Sequence, residues 1–582
     1  MTRTYTSDAV SMIGQQLSVS GWVHSRRDHG GLIFIDVRDH TGILQLVFHP
    51  EAAEAFALAE EVRDEYVVRV EGTVRERADE LKNDKIPTGS IELAVESLTI
   101  LNRAEALPIQ PFADAQASEE LRFKYRYLDL RRPKIQNMLK KRAEMYRRIH
   151  DYMDNREFIE ITTPILANSS PEGARDFLIP SRLQQGKFYA LPQAPQQFKQ
   201  LLMVGGVPRY YQLAACFRDE DPRADRLYGE FYQLDLEMAF VEDGETVRST
   251  VEPLIVELAT DFAGKTLKFE TIPRIPYVEA MEKYGSDKPD LRFDMELIEL
   301  SDVFAQSEFS VFKNAIANGG AVKAIRVERG AELSRKQIDT FTEIAKSEGA
   351  GGLAYIVYQD GEVKSPIAKF LSEQELNAIK EQTGAVDGDT VFFGADKRDT
   401  VNAVLGRLRN EFATHFGLKD PNVVALAWII DFPFYEWDAK NKKLDFGHNP
   451  FSMPKGGMEA LASTDDKLQI VADQYDMVMN GYEICSGGVR NHNPEVLYAV
   501  FNVLGFSKEY VEEKFGAMLN AFKFGAPPHA GCAFGVDRIL MELMNEHSVR
   551  EVVAFPKNGS GVDVMMNSPS VVDSAQLKDL GL

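Results

Sequence analysis

The first hundred residues constrain the fold most. LSVSGWVHSRR, GLIFIDVRD and GILQLVFHP alternate apolar and polar residues with period two, as half-buried strands do, and HTG supplies a turn between the second and third. EAAEAFALAEEVRDE is helical in composition, and YVVRVEGTVRER and SIELAVESLTIL return to strand. Three strands, a helix and two strands is the order of an OB-fold barrel, whose second and third strands present a face that binds oligonucleotides. Phe34 and Phe48 could stack bases on that face, and either could equally be barrel core.

The rest of the chain needs further cores, because 582 residues exceed what one can organise. With 44% hydrophobic and 27% charged residues the composition is that of a globular protein. No apolar run approaches the roughly 20 residues that span a bilayer, and MTRTYTSDAVSMIGQQ lacks the apolar core of a secretory signal. A cytoplasmic protein without a membrane partner is expected. Cys216, Cys485 and Cys532 are far apart and show no CxxC spacing, so neither zinc nor a disulfide framework is expected. NRAEALPIQPFADAQASEE reads as a linker. From Tyr284 to about Asp420, an amphipathic helix (ELSRKQIDTFTEIAKSEGA) and a strand (GLAYIVY) suggest an inserted α+β unit standing outside the site.

A formal net charge of −23 argues against diffuse nucleic-acid binding. Residues Leu121 to Ile149 nonetheless carry eleven Lys/Arg against two acids. A solvated helix and a phosphate-contacting surface both remain open for that stretch.

Chemistry concentrates elsewhere. CFRDEDPRADRLYGEFYQLDLEMAF sets Arg218, Arg223 and Arg226 among Asp219, Glu220, Asp221 and Asp225, then becomes an alternating strand. The chain has no Walker A sequence and no GxGxxG after a strand, so any phosphate must be held by side chains. Arginine suits that task through its permanently charged fork. Arg218 ends the apolar run YYQLAACF, and Arg538 in GCAFGVDRILMEL enters a helix behind a Gly-rich turn. For each, a structural ion pair is the competing account. NGYEICSGGVR carries Glu483, four small residues and Arg490. Glu483 and Asp476 are candidate Mg²⁺ ligands, since that ion combines a few carboxylates with phosphate oxygens; solvated surface acids are the alternative.

Taken together, FIEITTPIL around Pro164, FRDED with EFYQLDLE, and GAPPHAGCAFGVDRI resemble the three motifs of the class II aminoacyl-tRNA synthetases. PEGARDF, ALPQAPQQFKQLL, GSDKPDLR and GHNPFS resemble the bacterial aspartyl type, and the likeness covers essentially the whole chain. It implies an α+β multidomain protein: an OB-fold anticodon-binding domain (1–104), a hinge (105–130), an antiparallel-sheet catalytic domain in two parts (131–283 and 421–560), an inserted GAD-type domain (284–420) and a C-terminal extension (561–582). It also implies a homodimer, with the Pro164 motif at its interface. Carried over by position, Glu172, Gln196, Lys199, Arg218, Asp235, His448 and Arg490 would hold L-aspartate. Arg218 would grip the α-phosphate of ATP, Glu220 the adenine and Arg538 the γ-phosphate, with Arg226, Leu227, Glu483 and Gly535 completing the ATP site. Glu483 and Asp476 would bind Mg²⁺ with ATP.

The implied reaction forms aspartyl-adenylate from aspartate and ATP, then transfers aspartate to the tRNA 3′ end. Lys199 and Arg490 would face the substrate's side-chain carboxylate, while Glu172 and Asp235 would take its ammonium. Arg26, Arg27, Phe34, Gln45 and Glu92 would read the anticodon. His29 stands where members restricted to tRNA(Asp) often carry leucine, which implies charging of tRNA(Asn) as well as tRNA(Asp); a His without a tRNA role is the other reading. The sequence departs from the family in a longer DRLYGEFYQ loop and in His448-Asn449, where many relatives have two histidines. The alternatives are an enzyme confined to tRNA(Asp), an asparaginyl or lysyl sibling, an ammonia-dependent ligase on the same fold, and a catalytically dead RNA-binding paralogue.

Overall fold

The computed structural model describes residues 2–113, 117–169 and 173–582. It divides into two compact units, Met1–Asn137 and Met138–Leu582.

In the first unit the alternating runs become strands β1 (Gln16–His29), β2 (Leu32–Arg38) and β3 (Ile43–Phe48), then helix α1 (Ala53–Glu61), β4 (Val67–Glu76) and β5 (Ile91–Asn102). They are ordered β1-β2-β3-β5-β4, and β1 also pairs with β4, which closes the barrel. The β3–β5 pairing is parallel and the others are antiparallel. Closure leaves the barrel strands without a long free edge. The interior is Val19, Ile35, Val37, Leu46, Val70 and Leu93, with Ala55 and Ala59 of α1 packed against it. Gly30 and Gly31, at φ 61° and 81°, form the tight turn between β1 and β2, a geometry that favours glycine.

The register corrects the stacking pair. Ile33 lies opposite Phe48, and Phe34 opposite Val47, so the two phenylalanines face opposite sides of the sheet. Phe34 is partly exposed on the outer face; Phe48 is fully buried in the core and cannot stack a base.

The second unit is built on eight strands: β6 (Ile159–Glu160), β7 (Arg209–Arg218), β8 (Gly229–Ala239), β9 (Arg274–Pro276), β10 (Leu426–Ile430), β11 (Gln474–Met479), β12 (Tyr482–Val489) and β13 (His529–Gly535). Their order is β9-β10-β11-β12-β13-β8-β7-β6. The six central strands are antiparallel, and the short edge strands β6 and β9 pair parallel with their neighbours. One face of this sheet is covered by helices α2 (Pro133–Asp154) and α4 (Gly244–Glu257) and by α5 (Val536–Leu543). Val536, Ile539, Leu540 and Leu543 of α5 repeat at helical spacing and are all buried. That leaves the opposite face free to carry polar side chains.

A separate five-stranded antiparallel sheet spans Leu297 to Asp396, in the order Leu297–Glu299, Ala321–Val327, Thr390–Asp396, Ala354–Gln359, Glu362–Lys364. The ELSRKQIDTF segment folds as the helix Arg335–Ser347, started by a Ser334–Gln337 capping box. Much of the basic stretch near residues 121–149 proves structural. Asp129 pairs with Arg122 and Arg126, Glu65 with Arg131, Asp537 with Arg142, and Glu144 with Arg148. No helix of the described residues is long and apolar enough to cross a membrane.

Candidate active site

Two cross-strand rows on the uncovered sheet face build the site. Directly paired residues project to the same side. One row runs Gln212, Asp235, Ala533, Ser486, Asp476, and the next runs Tyr210, Glu237, Gly531, Gly488, Gln474. Small residues in the middle of each row hollow out a cleft, and acids flank the hollow. The cleft has a volume of about 710 Å³. Helix α3 (Gln196–Val204) contributes Gln196 and Lys199, and Arg490 follows β12.

Four buried charges lie together here, three of them lining the cleft. Lys199 Nζ donates to Asp235 Oδ1 at 2.7 Å and stands 3.4 Å from Glu237 Oε2. Arg490 grips Glu237 with a fork, Nε to Oε1 at 2.9 Å and Nη2 to Oε2 at 3.1 Å. Burial pushes the Asp235 carboxyl above its ordinary value against the pull of Lys199. At Glu237 burial acts in the same direction, but Arg490 and Lys199 outweigh it and hold the carboxyl below its ordinary value. The quartet is charge-balanced and still has capacity: among the described residues Asp235 Oδ2 makes no hydrogen bond, and Arg490 keeps Nη1 while Lys199 keeps one N–H.

Glu237 is the residue that the sequence reading missed. It is one of two acids in QLDLEMAF, and only the register, which sets it opposite Gly531, shows its place. The absent side chain at 531 is required: a Cβ there would collide with the Leu236 carbonyl and the Glu237 carboxylate. Gly531→Ala is therefore expected to destabilise the second unit by about 1–3 kcal/mol through overpacking, read as a lower midpoint in thermal denaturation.

The charge knot is the hairpin between β7 and β8. Much of it is internally paired: Arg226 to Glu220 at 2.5 Å, Arg538 to Asp225 at 3.0 Å and to the Glu483 carbonyl, and Tyr228 to Asp219 at 3.2 Å. Arg218 differs. Among the described residues it makes no ion pair, its Nε is buried without a hydrogen bond, and its guanidinium lies 4.9 Å from the Phe231 ring centre. An arginine held by a strand end and an aromatic face, with its charge unmet, is suited to an anionic ligand.

Asp476 carries the matching signal for a cation. It is buried, its Oδ1 has no hydrogen-bond partner among the described residues, and burial together with the Glu483 charge raises its carboxyl well above the usual range. Among the described residues no cluster of three or more His, Cys, Asp or Glu could hold a metal by itself. Two carboxylates fit a Mg²⁺ that takes its remaining ligands from phosphate and water.

Gln196, Lys199, Arg218, Asp235, His448, Arg490, Glu220, Arg226, Leu227, Glu483, Gly535, Arg538 and Asp476 all line this one cleft. Glu172 lies outside the described residues. His448 packs edge-on against Phe432 at 4.7 Å. Asn449 instead shapes its loop, its Oδ1 accepting from Phe451 N and Ser452 N. Lys288 also lines the cleft, although its segment was expected to stand apart from the site.

On the barrel, Arg27 donates to Asp36 at 3.0 Å and reaches Gln45 at 3.4 Å, and Gln45 donates to Glu92 at 3.2 Å. With Phe34 these form one outer patch. Arg26 does not join it: it lies opposite Ile35, bonds the Ala59 carbonyl of α1 at 2.9 Å and pairs with Asp28. His29 is exposed in the last position of β1, opposite Leu32, rather than in a loop.

Residues 118–559 match the family model for tRNA synthetases class II (D, K and N), and residues 17–101 match that for the OB-fold nucleic acid binding domain. A Chlorobium chlorochromatii protein named aspartate--tRNA(Asp/Asn) ligase is 49% identical over 568 residues, covering 98% of this chain and 93% of its own. A Rickettsia felis protein of the same name is 48% identical over 577 residues, covering 98% and 96%. Among solved structures, asparaginyl-tRNA synthetase of Pyrococcus horikoshii with asparaginyl-adenylate aligns with a TM-score of 0.57 at 19% identity, over 96% of this chain and 98% of that one. Aspartyl-tRNA synthetase of Entamoeba histolytica gives 0.57 at 18%, over 96% and 92%. At those identities the structures show the shared fold.

Proposed function

Because the chain belongs to the class II tRNA synthetases of the D, K and N group, we propose that it joins L-aspartate to tRNA using ATP, and that it accepts both tRNA(Asp) and tRNA(Asn), as the names of its relatives state for them. The observation that carries the reading is one cleft in which a charge-balanced buried quartet adjoins an unpaired arginine. The substrate's side-chain carboxylate takes the spare N–H groups of Lys199 and Arg490, and its ammonium takes Asp235 Oδ2. Asparagine would present an amide NH₂ to those same donors, and a buried N–H left unsatisfied costs about 1–3 kcal/mol, more when the donor is charged. That difference supports aspartate over asparagine.

Little side-chain proton transfer is needed. The aspartate α-carboxylate attacks the α-phosphorus in line and pyrophosphate leaves; Arg218 neutralises charge on the α-phosphate as it develops. Next the terminal ribose hydroxyl of tRNA attacks the adenylate carbonyl and AMP leaves. The cleft's main service is to hold two anions in attacking geometry, worth up to about 7–11 kcal/mol in well-oriented systems. Asp476 and Glu483 would hold Mg²⁺ with ATP, and that ion would offset charge on the triphosphate. Arg226 and Arg538 would exchange their present carboxylate partners for phosphate, with Glu220 thereby released toward adenine and Leu227 and Gly535 beside it.

Arg27, Phe34, Gln45 and Glu92 form the proposed anticodon surface, in which an aromatic face flanked by hydrogen-bonding groups suits unstacked RNA bases. Exposed Ile159, Ile165 and Leu166 around Pro164, at 48–53% exposure, support a second copy of the chain as partner. A cytoplasmic setting accords with a tRNA substrate.

ATP–pyrophosphate exchange tests the core of the proposal: aspartate should support it, and asparagine and lysine should not. No exchange with any amino acid would favour an RNA-binding paralogue. For tRNA scope, matched tRNA(Asp) and tRNA(Asn) transcripts should both be aspartylated. His29→Leu should lower charging of tRNA(Asn) relative to tRNA(Asp) by roughly tenfold, the scale of one hydrogen bond. Charging of tRNA(Asp) alone by the unaltered protein would confine it to that tRNA and leave His29 without a role.

A further inference from the structure

Beside the cleft, two side chains of helix α3 and a histidine from a distant part of the sequence form a single file of hydrogen bonds. Fully buried His529, at the start of β13, has Nδ1 2.8 Å from the Pro527 carbonyl oxygen. A carbonyl can only accept, so Nδ1 carries the proton and, in the neutral ring, Nε2 is a lone pair. Burial favours that neutral ring, against the nearby Glu237 charge. Gln200 Nε2 lies 3.0 Å from His529 Nε2 and donates to it. The amide of Gln200, also fully buried, is thereby oriented, and its Oε1 accepts from Gln196 Nε2 at 3.1 Å. Gln196 sits one helical turn before Gln200 on α3. With its nitrogen committed, it offers Oε1 to the cleft it lines.

We infer that His529 and Gln200 are positioning residues that fix the Gln196 amide with Oε1 toward the substrate's ammonium. This rests on the aspartate reading above. A hydrogen on His529 Nε2 would reverse each amide in turn and set an NH₂ of Gln196 against the ammonium; the Pro527 carbonyl blocks that arrangement. Gln196 Oε1 and Asp235 Oδ2 then form a pair of acceptors for the amino group, while Lys199 and Arg490 serve the carboxylate. Sequence spacing could not reveal the relay, since its link from Gln200 to His529 joins residues 329 apart.

The test is a mutant cycle read by pyrophosphate exchange. Gln200→Met keeps the side chain's length and removes its amide. It should raise the KM for aspartate roughly tenfold, the scale of one hydrogen bond, with the KM for ATP and kcat unchanged. Succinate, which is aspartate without its amino group, should compete as well against the variant as against the unaltered protein. In a Gln196→Ala background, Gln200→Met should have no further effect. His529→Phe keeps a ring without nitrogens and should match Gln200→Met, serving in its place if that variant does not fold. Full additivity with Gln196→Ala, or equal loss of succinate and aspartate binding, would overturn the inference. Absence of aspartate-dependent exchange in the unaltered protein would instead overturn the functional reading.

Discussion

Glu237→Gln will destabilise the second unit by about 3–5 kcal/mol, the cost of breaking one partner out of a buried ion pair. The geometry explains the size. Glu237 is fully buried and accepts two hydrogen bonds from Arg490, which is itself only 4% exposed. Glutamine keeps one acceptor and turns an NH₂ toward the other guanidinium N–H, so Arg490 is left charged and half-paired at a largely buried position. Lys199, 3.4 Å from Glu237, loses a counter-charge as well. A companion variant separates stability from function: Glu237→Met with Arg490→Met replaces the pair by apolar groups, which typically restores or exceeds the original stability. Thermal midpoints should therefore fall for the single variant and recover for the double, while aspartate-dependent exchange stays lost in both. A single variant as stable as the parent would show that the pair is solvated.

The pair also sets a pH window. The cations hold the Glu237 carboxyl below its ordinary value despite its burial. A depressed carboxyl contributes fully above its unfolded value, about 4.3, and loses that contribution as pH falls through the lower folded value. The stability difference between parent and Glu237→Gln should accordingly be constant from neutral pH to about 5 and shrink only in more acidic solution.

Why Glu237 escaped the sequence while Asp235 did not is a matter of register. Period-two alternation makes the barrel strands readable, and the dense mixture of charges beside an apolar strand marks the β7–β8 hairpin. Both are local signals. The partner of each acid is not local: Asp235 meets a lysine 36 residues away, and Glu237 an arginine 253 residues away. Parity fails in the barrel for a related reason. A register shift between Val23 and Ser25 separates the early part of β1 from the late part, so counting from the apolar residues does not tell that Arg26 turns toward α1 and Arg27 toward the outer patch. Phe34 and Phe48 look equivalent because each sits in an alternating run; their strands' pairing puts one outside and one in the core. The buried acids and amides of the cleft break the rule that cores are apolar, and they do so where a ligand is to be held.

Arg218→Ala will lower aspartate-dependent exchange by about 10²–10³ in kcat, the loss typical of removing one preorganised donor from a developing oxyanion. Its effect on stability should be opposite in character to that of Glu237→Gln. Arg218 makes no ion pair among the described residues, so its removal strands no buried counter-charge; it deletes an Nε that is buried without a hydrogen bond. The thermal midpoint should hold or rise slightly. Arg218→Lys should recover little, because an ammonium lacks the planar fork that binds two phosphate oxygens together and loses the guanidinium's place over the Phe231 ring. The neighbours do not substitute either, because in the proposed site Arg226 and Arg538 leave Glu220 and Asp225 to hold phosphate oxygens of their own. A split between KM and kcat locates the interaction. If Arg218 grips the α-phosphate mainly as charge develops there, kcat falls and the KM for ATP moves little. If the KM for ATP rises alone, Arg218 anchors ground-state nucleotide and the transition-state role passes to another donor in the cleft. A loss of less than tenfold in both would remove Arg218 from the phosphate site, and with it the reason for an unpaired arginine at the end of β7.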